Sequence, residues 1–160
     1  VRARVGEIRA KWMLRGCNLT IFPNLQIADS TSLILRTILP LAVNRTEMTM
    51  YSMAPVGEAL ALRTRRIRQH EDFFNITGMA TPDDTVIYED CQNGLSVGAD
   101  DWLQCFERGM AALSPGADAH ARELGLSPVA SMSGRYAVQN EVCYHSTYRE
   151  WVRRLSGIAA

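Results

Sequence analysis

Two adjacent carboxylates, Asp83 and Asp84, follow Thr81 and Pro82 where an apolar, glycine-bearing loop gives way to a helical pattern. Threonine is a favourable N-cap residue and proline a favourable first helical residue, so the pattern predicts a helix from Pro82 with Asp84 at its third position. A carboxylate there can complete a capping box and lies at the positive end of the helix dipole. The same carboxylate could also be one ligand of a metal ion facing an apolar pocket. The residue types leave both interpretations open.

Further residues around this acidic pair form a recognisable set. Phe74 lies ten residues before Asp84, Gly78 lies in the intervening loop, and Gln92-Asn93-Gly94 follows in the helix. Together with the segment 66–74, the set resembles the C-terminal part of the catalytic domain of Rieske-type aromatic-ring-hydroxylating dioxygenases. The branch it resembles acts on benzoate, anthranilate and halobenzoate. The resemblance covers residues 1–95 and 144–151, is loose over 96–134, and depends on the whole set because each piece alone is weak.

The resemblance implies a role for Asp84 as a catalytic residue and metal ligand. In this family a mononuclear Fe²⁺ is held by two histidines and one carboxylate, and Asp84 takes the carboxylate position, with Asp83 as the fallback. The histidines of this chain are His70, His120 and His145. Their spacing matches no ligand pair, so we expect the two imidazole ligands to lie outside the chain. The Cys-x-His pair at Cys143 lacks its Cys-x-x-His counterpart, so we interpret it as coincidence and expect the [2Fe-2S] Rieske cluster elsewhere too.

The resemblance also implies substrate-binding residues. Phe74 takes the position of an aromatic pocket wall, and Ala80 takes a position that often faces substrate. Tyr88 lies one turn after Asp84 on the same helix face. Asn18 opens an apolar strand that matches the family and is expected to approach the pocket. Ordinary core packing is the alternative for each of these residues.

The elements that must position these residues follow from hydrophobic periodicity and turn signals. The pattern predicts strands at Leu19–Ile27, Leu33–Leu39 and Thr46–Met53, with Pro23 at an edge or bulge. It predicts helices at Val1–Arg15, Glu58–Phe74, Pro82–Gly94 and Tyr144–Leu155. The stretch Ser96–Gly134 is expected to be irregular, with a short helix near Trp102–Arg108. Two tight turns indicate an antiparallel meander, so the fold class is α+β, a partial helix-grip (Bet-v-1-like or TBP-like) catalytic domain.

Composition limits the class of protein. The 160 residues are 47% hydrophobic and 21% charged, with zero net charge and a pI near 7.0. We therefore expect no nucleic-acid partner and no membrane association, and a cytoplasmic location without a signal peptide. Four cysteines fit no zinc-site spacing, and we expect reduced, mostly buried thiols. The chain does not begin with Met, and we expect residues 1–160 to be the C-terminal portion of the catalytic domain, without the Rieske domain or the N-terminal part of the catalytic domain.

The function implied by the resemblance is that of a large (α) subunit that adds dioxygen to an aromatic ring of the benzoate type. Electrons would come from NADH through a separate reductase and the Rieske cluster, in a trimer of α/β pairs that includes a small (β) subunit. The chain alone would be inactive. The ring substituent, the regiochemistry, dihydroxylation or monohydroxylation, and independent folding of this segment stay open. One alternative is a non-catalytic helix-grip module that binds an apolar ligand, with Asp84 only capping its helix. Another is a truncated gene product without function.

Overall fold

An antiparallel sheet of four strands forms the centre of the segment Arg15–Asp100, which is one of two units of the chain. The computed structural model describes residues 1–98, 105–134 and 140–157. The strands follow one another in sheet order, as β1 (Cys17–Ile21), β2 (Leu25–Asp29), β3 (Leu33–Ala42) and β4 (Arg45–Met53). The predicted meander is therefore confirmed.

The predicted strand Leu19–Ile27 is wrong, because the chain turns back at its centre. Ile21 pairs with Leu25, so β1 and β2 form a tight hairpin around Pro23. Proline has no amide proton for a ladder hydrogen bond, and the Pro-Asn pair favours a turn over a continuous strand. The sheet gains a fourth strand from this turn. Strand β3 runs on to Ala42, past Pro40, where its register against β4 shifts.

The two faces of the sheet differ in what covers them. Ile34, Arg36 and Ile38 alternate along β3 and therefore share one face with their cross-strand partners Met48 and Met50. Ile34 is fully buried on this face. The opposite face leaves several large apolar side chains exposed in the described structure: Leu19, Ile21, Leu39, Tyr51 and Met53. An apolar face of this kind is typical of a sheet that packs against another layer.

Two helices follow the sheet, α3 (Leu60–Phe73) and α4 (Thr81–Ser96), close to the predicted ranges. His70 near the end of α3 faces Ser32, with 3.4 Å between its Nδ1 and the serine Oγ. Arg66 of α3 forms an ion pair of 2.7 Å with Glu58, just before the helix. The connection from α3 to α4 is short, and it brings the start of α4 next to the end of α3.

The second unit combines Val1–Leu14 with Asp101–Ala160. The predicted N-terminal helix is divided into α1 (Arg2–Val5) and α2 (Glu7–Met13), because Gly6 adopts φ 83°, outside the helical region. The remaining elements are short 3₁₀ turns at Met110–Ala112 and Glu141–Tyr144, the pair β5 (Ser114–Pro115) and β6 (Ala130–Ser131), and helices α5 (Ala119–Glu123) and α6 (His145–Leu155). Residues 102–104 of the predicted short helix lie outside the described residues, and Glu107 and Arg108 lie in a turn.

The α+β class is confirmed, since helices and antiparallel sheet are both present. The four cysteines are free and exposed, so the prediction of mostly buried thiols is wrong. Among the described residues, no helix combines the length and apolar content that a bilayer crossing requires.

Candidate functional site

The start of α4 is held by a hydrogen bond that the sequence pattern did not predict. Thr81 is the first helical residue rather than the N-cap, which is Ala80, and no side chain caps the helix. The Thr81 hydroxyl instead donates to the carbonyl of Phe74 over 2.7 Å. The predicted capping box is therefore wrong, because the helix begins one residue earlier than predicted and Thr81 does not occupy the N-cap position. Asp84 consequently lies one position deeper in the helix than predicted, and its amide bonds to the Ala80 carbonyl.

The two acidic side chains differ in exposure. Asp83 is exposed, whereas Asp84 is half-buried. Within the part of the chain that the structure describes, no hydrogen bond or ion pair occupies the Asp84 carboxylate. A half-buried carboxylate without a protein partner keeps its acceptor oxygens available to a ligand. This asymmetry favours Asp84 over Asp83 as a ligand.

The loop that precedes Asp84 is closed by backbone hydrogen bonds. The amides of Met79 and Ala80 donate to the carbonyls of Asp72 and Phe73, at 3.0 and 2.9 Å. Gly78 permits this close return, since a Cβ there would lie 2.6 Å from the Phe73 carbonyl oxygen. Gly78 is therefore explained by the close backbone contacts within the loop. The result is a rigid connection that fixes where α4 begins.

Phe74 is buried at the end of this loop. Its ring contacts Phe73 edge-on at 4.8 Å between centroids, and the Arg36 guanidinium lies 5.5 Å from the ring centroid. Phe74 therefore connects the helical layer to β3, and its carbonyl also accepts the Thr81 hydroxyl. Packing and a pocket-wall role are both compatible with this position.

A cleft of about 760 Å³ opens between the sheet and α4. Its helix wall includes Thr85, Tyr88 and Gln92, at the spacing of one helix face, and its sheet wall includes Gln26 and Ile38. Among the predicted pocket residues in the described structure, Tyr88 lines this cleft, whereas Phe74, Ala80 and Asn18 do not. Asp84 directly precedes Thr85 and lies one turn before Tyr88.

Asn18 and Ala80 occupy different surroundings. Asn18 is exposed on β1, but its pairing with Ala28, which pairs with Ile34, places it on the sheet face that bears Arg36. Ala80 is half-buried immediately before α4. A second cleft, of about 680 Å³, belongs to the other unit and is lined by residues such as Val142 and Arg149. It contains none of the predicted site residues, whereas the cleft along α4 contains Tyr88 but not Asp84.

The histidines do not assemble a metal site in this chain. Burial lowers the pKa of His70, an effect that the nearby Glu71 carboxylate partly opposes. His120 stacks edge-on against Trp12, and His145 contacts the Phe106 carbonyl. Across the described ranges, no group of three or more histidine, cysteine or acidic side chains could hold a metal ion. The described residues could therefore supply one carboxylate donor to a metal ion at Asp84, and they contain no set of ligands for an iron–sulfur cluster.

Comparison with known proteins decides the family. The model of the ring-hydroxylating α subunit (catalytic domain) family matches residues 4–157. The chain belongs to this family. The 2-halobenzoate 1,2-dioxygenase large subunit of Burkholderia cepacia is 40% identical, over 100% of this chain and 34% of the relative. The toluate 1,2-dioxygenase subunit alpha of Pseudomonas putida is 44% identical, over 77% of this chain and 26% of the relative. The anthranilate 1,2-dioxygenase large subunit of Acinetobacter baylyi is 36% identical, over 94% of this chain and 31% of the relative.

The ring-hydroxylating family assignment applies to a segment, since the chain spans about a quarter to a third of the length of these curated relatives. No solved structure matches the chain. For this family a mononuclear iron and a Rieske cluster are generally expected, and multi-component assembly with a β subunit and a reductase is the general pattern. The predicted resemblance is thus confirmed at the level of the family.

Sequence reasoning missed one charged residue near the site. Arg36 interrupts the apolar stretch 33–43, and the sequence pattern assigned it no role in the site. A cation at an inward position of an otherwise apolar strand is itself a signal, because such positions are rarely charged without a partner. Gln26, its cross-strand partner and a wall residue of the cleft, carried no comparable signal.

Proposed function

We propose that the chain is part of the catalytic α subunit of a Rieske ring-hydroxylating dioxygenase, with Asp84 as the carboxylate ligand of the mononuclear iron. The observation that carries this proposal is the half-buried Asp84 carboxylate without a described protein partner, at the start of a helix in a chain of this family. Asp83 is adjacent but exposed, which makes it the poorer ligand. Iron, when bound, supplies the redox chemistry that activates dioxygen.

The side chains of this segment would hold and orient the substrate. The rigid α3–α4 loop fixes the direction of the Asp84 carboxylate, since Thr81 and the loop amides tie it to the end of α3. Tyr88 lines the cleft one turn further along α4. Phe74 and Ala80 flank the start of that helix, and Asn18 lies on the helix-facing side of the sheet. An aromatic ring held between such groups would face the site of dioxygen binding in one orientation. This positioning lowers the entropic part of the activation free energy.

The substrate is an aromatic carboxylate of the benzoate type, and the product is a ring oxygenated at adjacent carbons. The printed names of the three relatives, which refer to halobenzoate, toluate and anthranilate, support this class. Electrons come from NADH through a reductase and a Rieske [2Fe-2S] cluster, and the enzyme is a trimer of α/β pairs. Its NADH-dependent electron supply agrees with a cytoplasmic location.

The exposed apolar face of the sheet supports a place within a larger catalytic domain. Leu19, Ile21 and Tyr51 on that face are each about half exposed, at 48%, 47% and 53%. The remaining part of the domain would cover this face and supply the two histidine ligands. The family match disfavours the non-catalytic alternative, an apolar-ligand module with no iron. In addition, no side chain caps α4, so Asp84 does not have the capping role that this alternative gives it.

The test uses the full-length subunit that contains this segment, assembled with its partners. Asp84→Ala should lose most of the mononuclear iron and reduce oxygenated product below detection, because one of three protein ligands is gone. Iron content is measured by metal analysis after correction for the iron of the cluster, and product by chromatography with benzoate.

Asp83→Ala is the matched control, since it removes an adjacent carboxylate that is exposed. It should retain iron and turnover. Equal loss in both variants, or full iron content in Asp84→Ala, would contradict the ligand assignment.

A further inference from the structure

The Arg36 side chain enters the layer between the sheet and the helices. It lies on the same face of β3 as Ile34, which is fully buried, and its Cζ is 5.5 Å from the centroid of the buried Phe74 ring. The cross-strand partners of Arg36 are Gln26 and Met50. These three neighbours carry no charge, and Arg36 is half-buried.

The guanidinium has unused hydrogen-bonding capacity. Its Nε is buried and has no hydrogen-bond partner, and no ion pair joins Arg36 to any described acidic residue. The ring contact with Phe74 is weaker than the penalty for removing a cation from water. Arginine presents five donors in a planar fork that matches a carboxylate with two parallel hydrogen bonds. A carboxylate matches this donor set.

Two neighbours of Arg36 line the cleft along α4. Gln26, directly opposite Arg36 on β2, and Ile38, two residues along β3, both line the cleft. The far wall belongs to α4, which carries Tyr88 and, one turn earlier, Asp84. Arg36 and Asp84 are not themselves lining residues of the cleft, but each adjoins residues that are, Arg36 on the sheet and Asp84 on α4.

We propose that Arg36 is a specificity-determining residue that binds the carboxylate of the aromatic substrate. This inference rests on the proposed function and names the side chain that would make the enzyme prefer aromatic substrates with a carboxylate group. The guanidinium is held by the Phe74 ring, and its free donors face the carboxylate. The ring of the substrate then extends into the cleft, away from the sheet.

The test measures benzoate binding to the full-length assembled enzyme by calorimetry. The wild type should bind benzoate at least about 10-fold tighter than benzamide, which has the same shape without the charge. Arg36→Met should weaken benzoate binding by about 10- to 150-fold, the range expected for a lost charged hydrogen-bonded pair, and change benzamide binding by less than about 3-fold. Arg36→Lys, which keeps the charge but loses the fork, should fall between the two.

Arg65→Met is the control, because it removes one positive charge from an exposed position of α3 and should leave both affinities unchanged. Equal weakening of benzoate and benzamide in Arg36→Met would overturn the proposal and indicate a structural carboxylate from another part of the protein. Absence of benzoate preference in the wild type would overturn it as well. Iron loss in Asp84→Ala is measured separately, so a failure of the proposed function is distinguishable from a failure of this inference.

Discussion

The Thr81 hydroxyl should control the stability of the connection that carries Asp84. Thr81 and Phe74 are each only 8% exposed, and the 2.7 Å hydrogen bond between them lies inside the α3–α4 junction. Thr81→Val keeps the shape of the side chain but removes the donor. The Phe74 carbonyl is then buried without a partner, which costs about 1–3 kcal/mol.

This cost should appear as local opening of the junction. A loss of about 1–3 kcal/mol corresponds to hydrogen exchange about 5- to 150-fold faster at the amides that open with it. The relevant amides are those of Met79, Ala80 and Asp84, which bond within the junction at 2.9–3.1 Å. Peptide-resolved exchange by mass spectrometry on the full-length enzyme measures this, with the sheet peptides as an internal reference.

Thr81→Ser is the matched control, because it keeps the hydroxyl and loses only the methyl group. It should exchange much more slowly than Thr81→Val. Two results would refute the claim that the hydroxyl holds the junction. One is hydrogen exchange in Thr81→Val at the wild-type rate, and the other is exchange in Thr81→Ser as fast as in Thr81→Val.

Two further predictions concern glycine packing and acid stability. Gly78→Ala places a Cβ 2.6 Å from a backbone carbonyl oxygen and should destabilise the protein by about 1–3 kcal/mol, whereas Gly94→Ala, with open space around it in α4, should be neutral or stabilising. Equal melting temperatures in thermal scans of the two variants would contradict this reasoning. Hydrogen bonds from two arginines of α6 lower the pKa of Glu150 from 4.5 to about 2. The stability contribution of Glu150 is therefore present above pH 4.5 and lost as the pH falls toward 2. Glu150→Gln should therefore flatten the acid limb of a curve of unfolding free energy against pH. An acid limb equal to that of the wild type would contradict this role of Glu150.

Local sequence determined the elements around the site. Asn44-Arg45 and Asp29-Ser30 lie between apolar runs, and the structure turns at both places because such residues favour turns over ladder hydrogen bonds. Proline at the start of α4 and the alternation of Met48 and Met50 in β4 were sufficient to place these elements. The residues that identify the family, around Phe74 and Asp84, are also local in sequence. For these reasons the α+β class and the family could be predicted without coordinates.

Tertiary structure decided which partner each polar group found. The sequence placed Thr81 at the N-cap of α4, but the folded loop starts the helix one residue earlier and brings the Phe74 carbonyl within reach of the Thr81 hydroxyl as an acceptor. Arg36 read as an interruption of an apolar stretch until the register of β3 and the position of Phe74 placed its guanidinium between layers. Sequence spacing fixes which face of an element a side chain lies on. Which group it meets there depends on contacts between residues distant in the chain, and these form only when the layers pack.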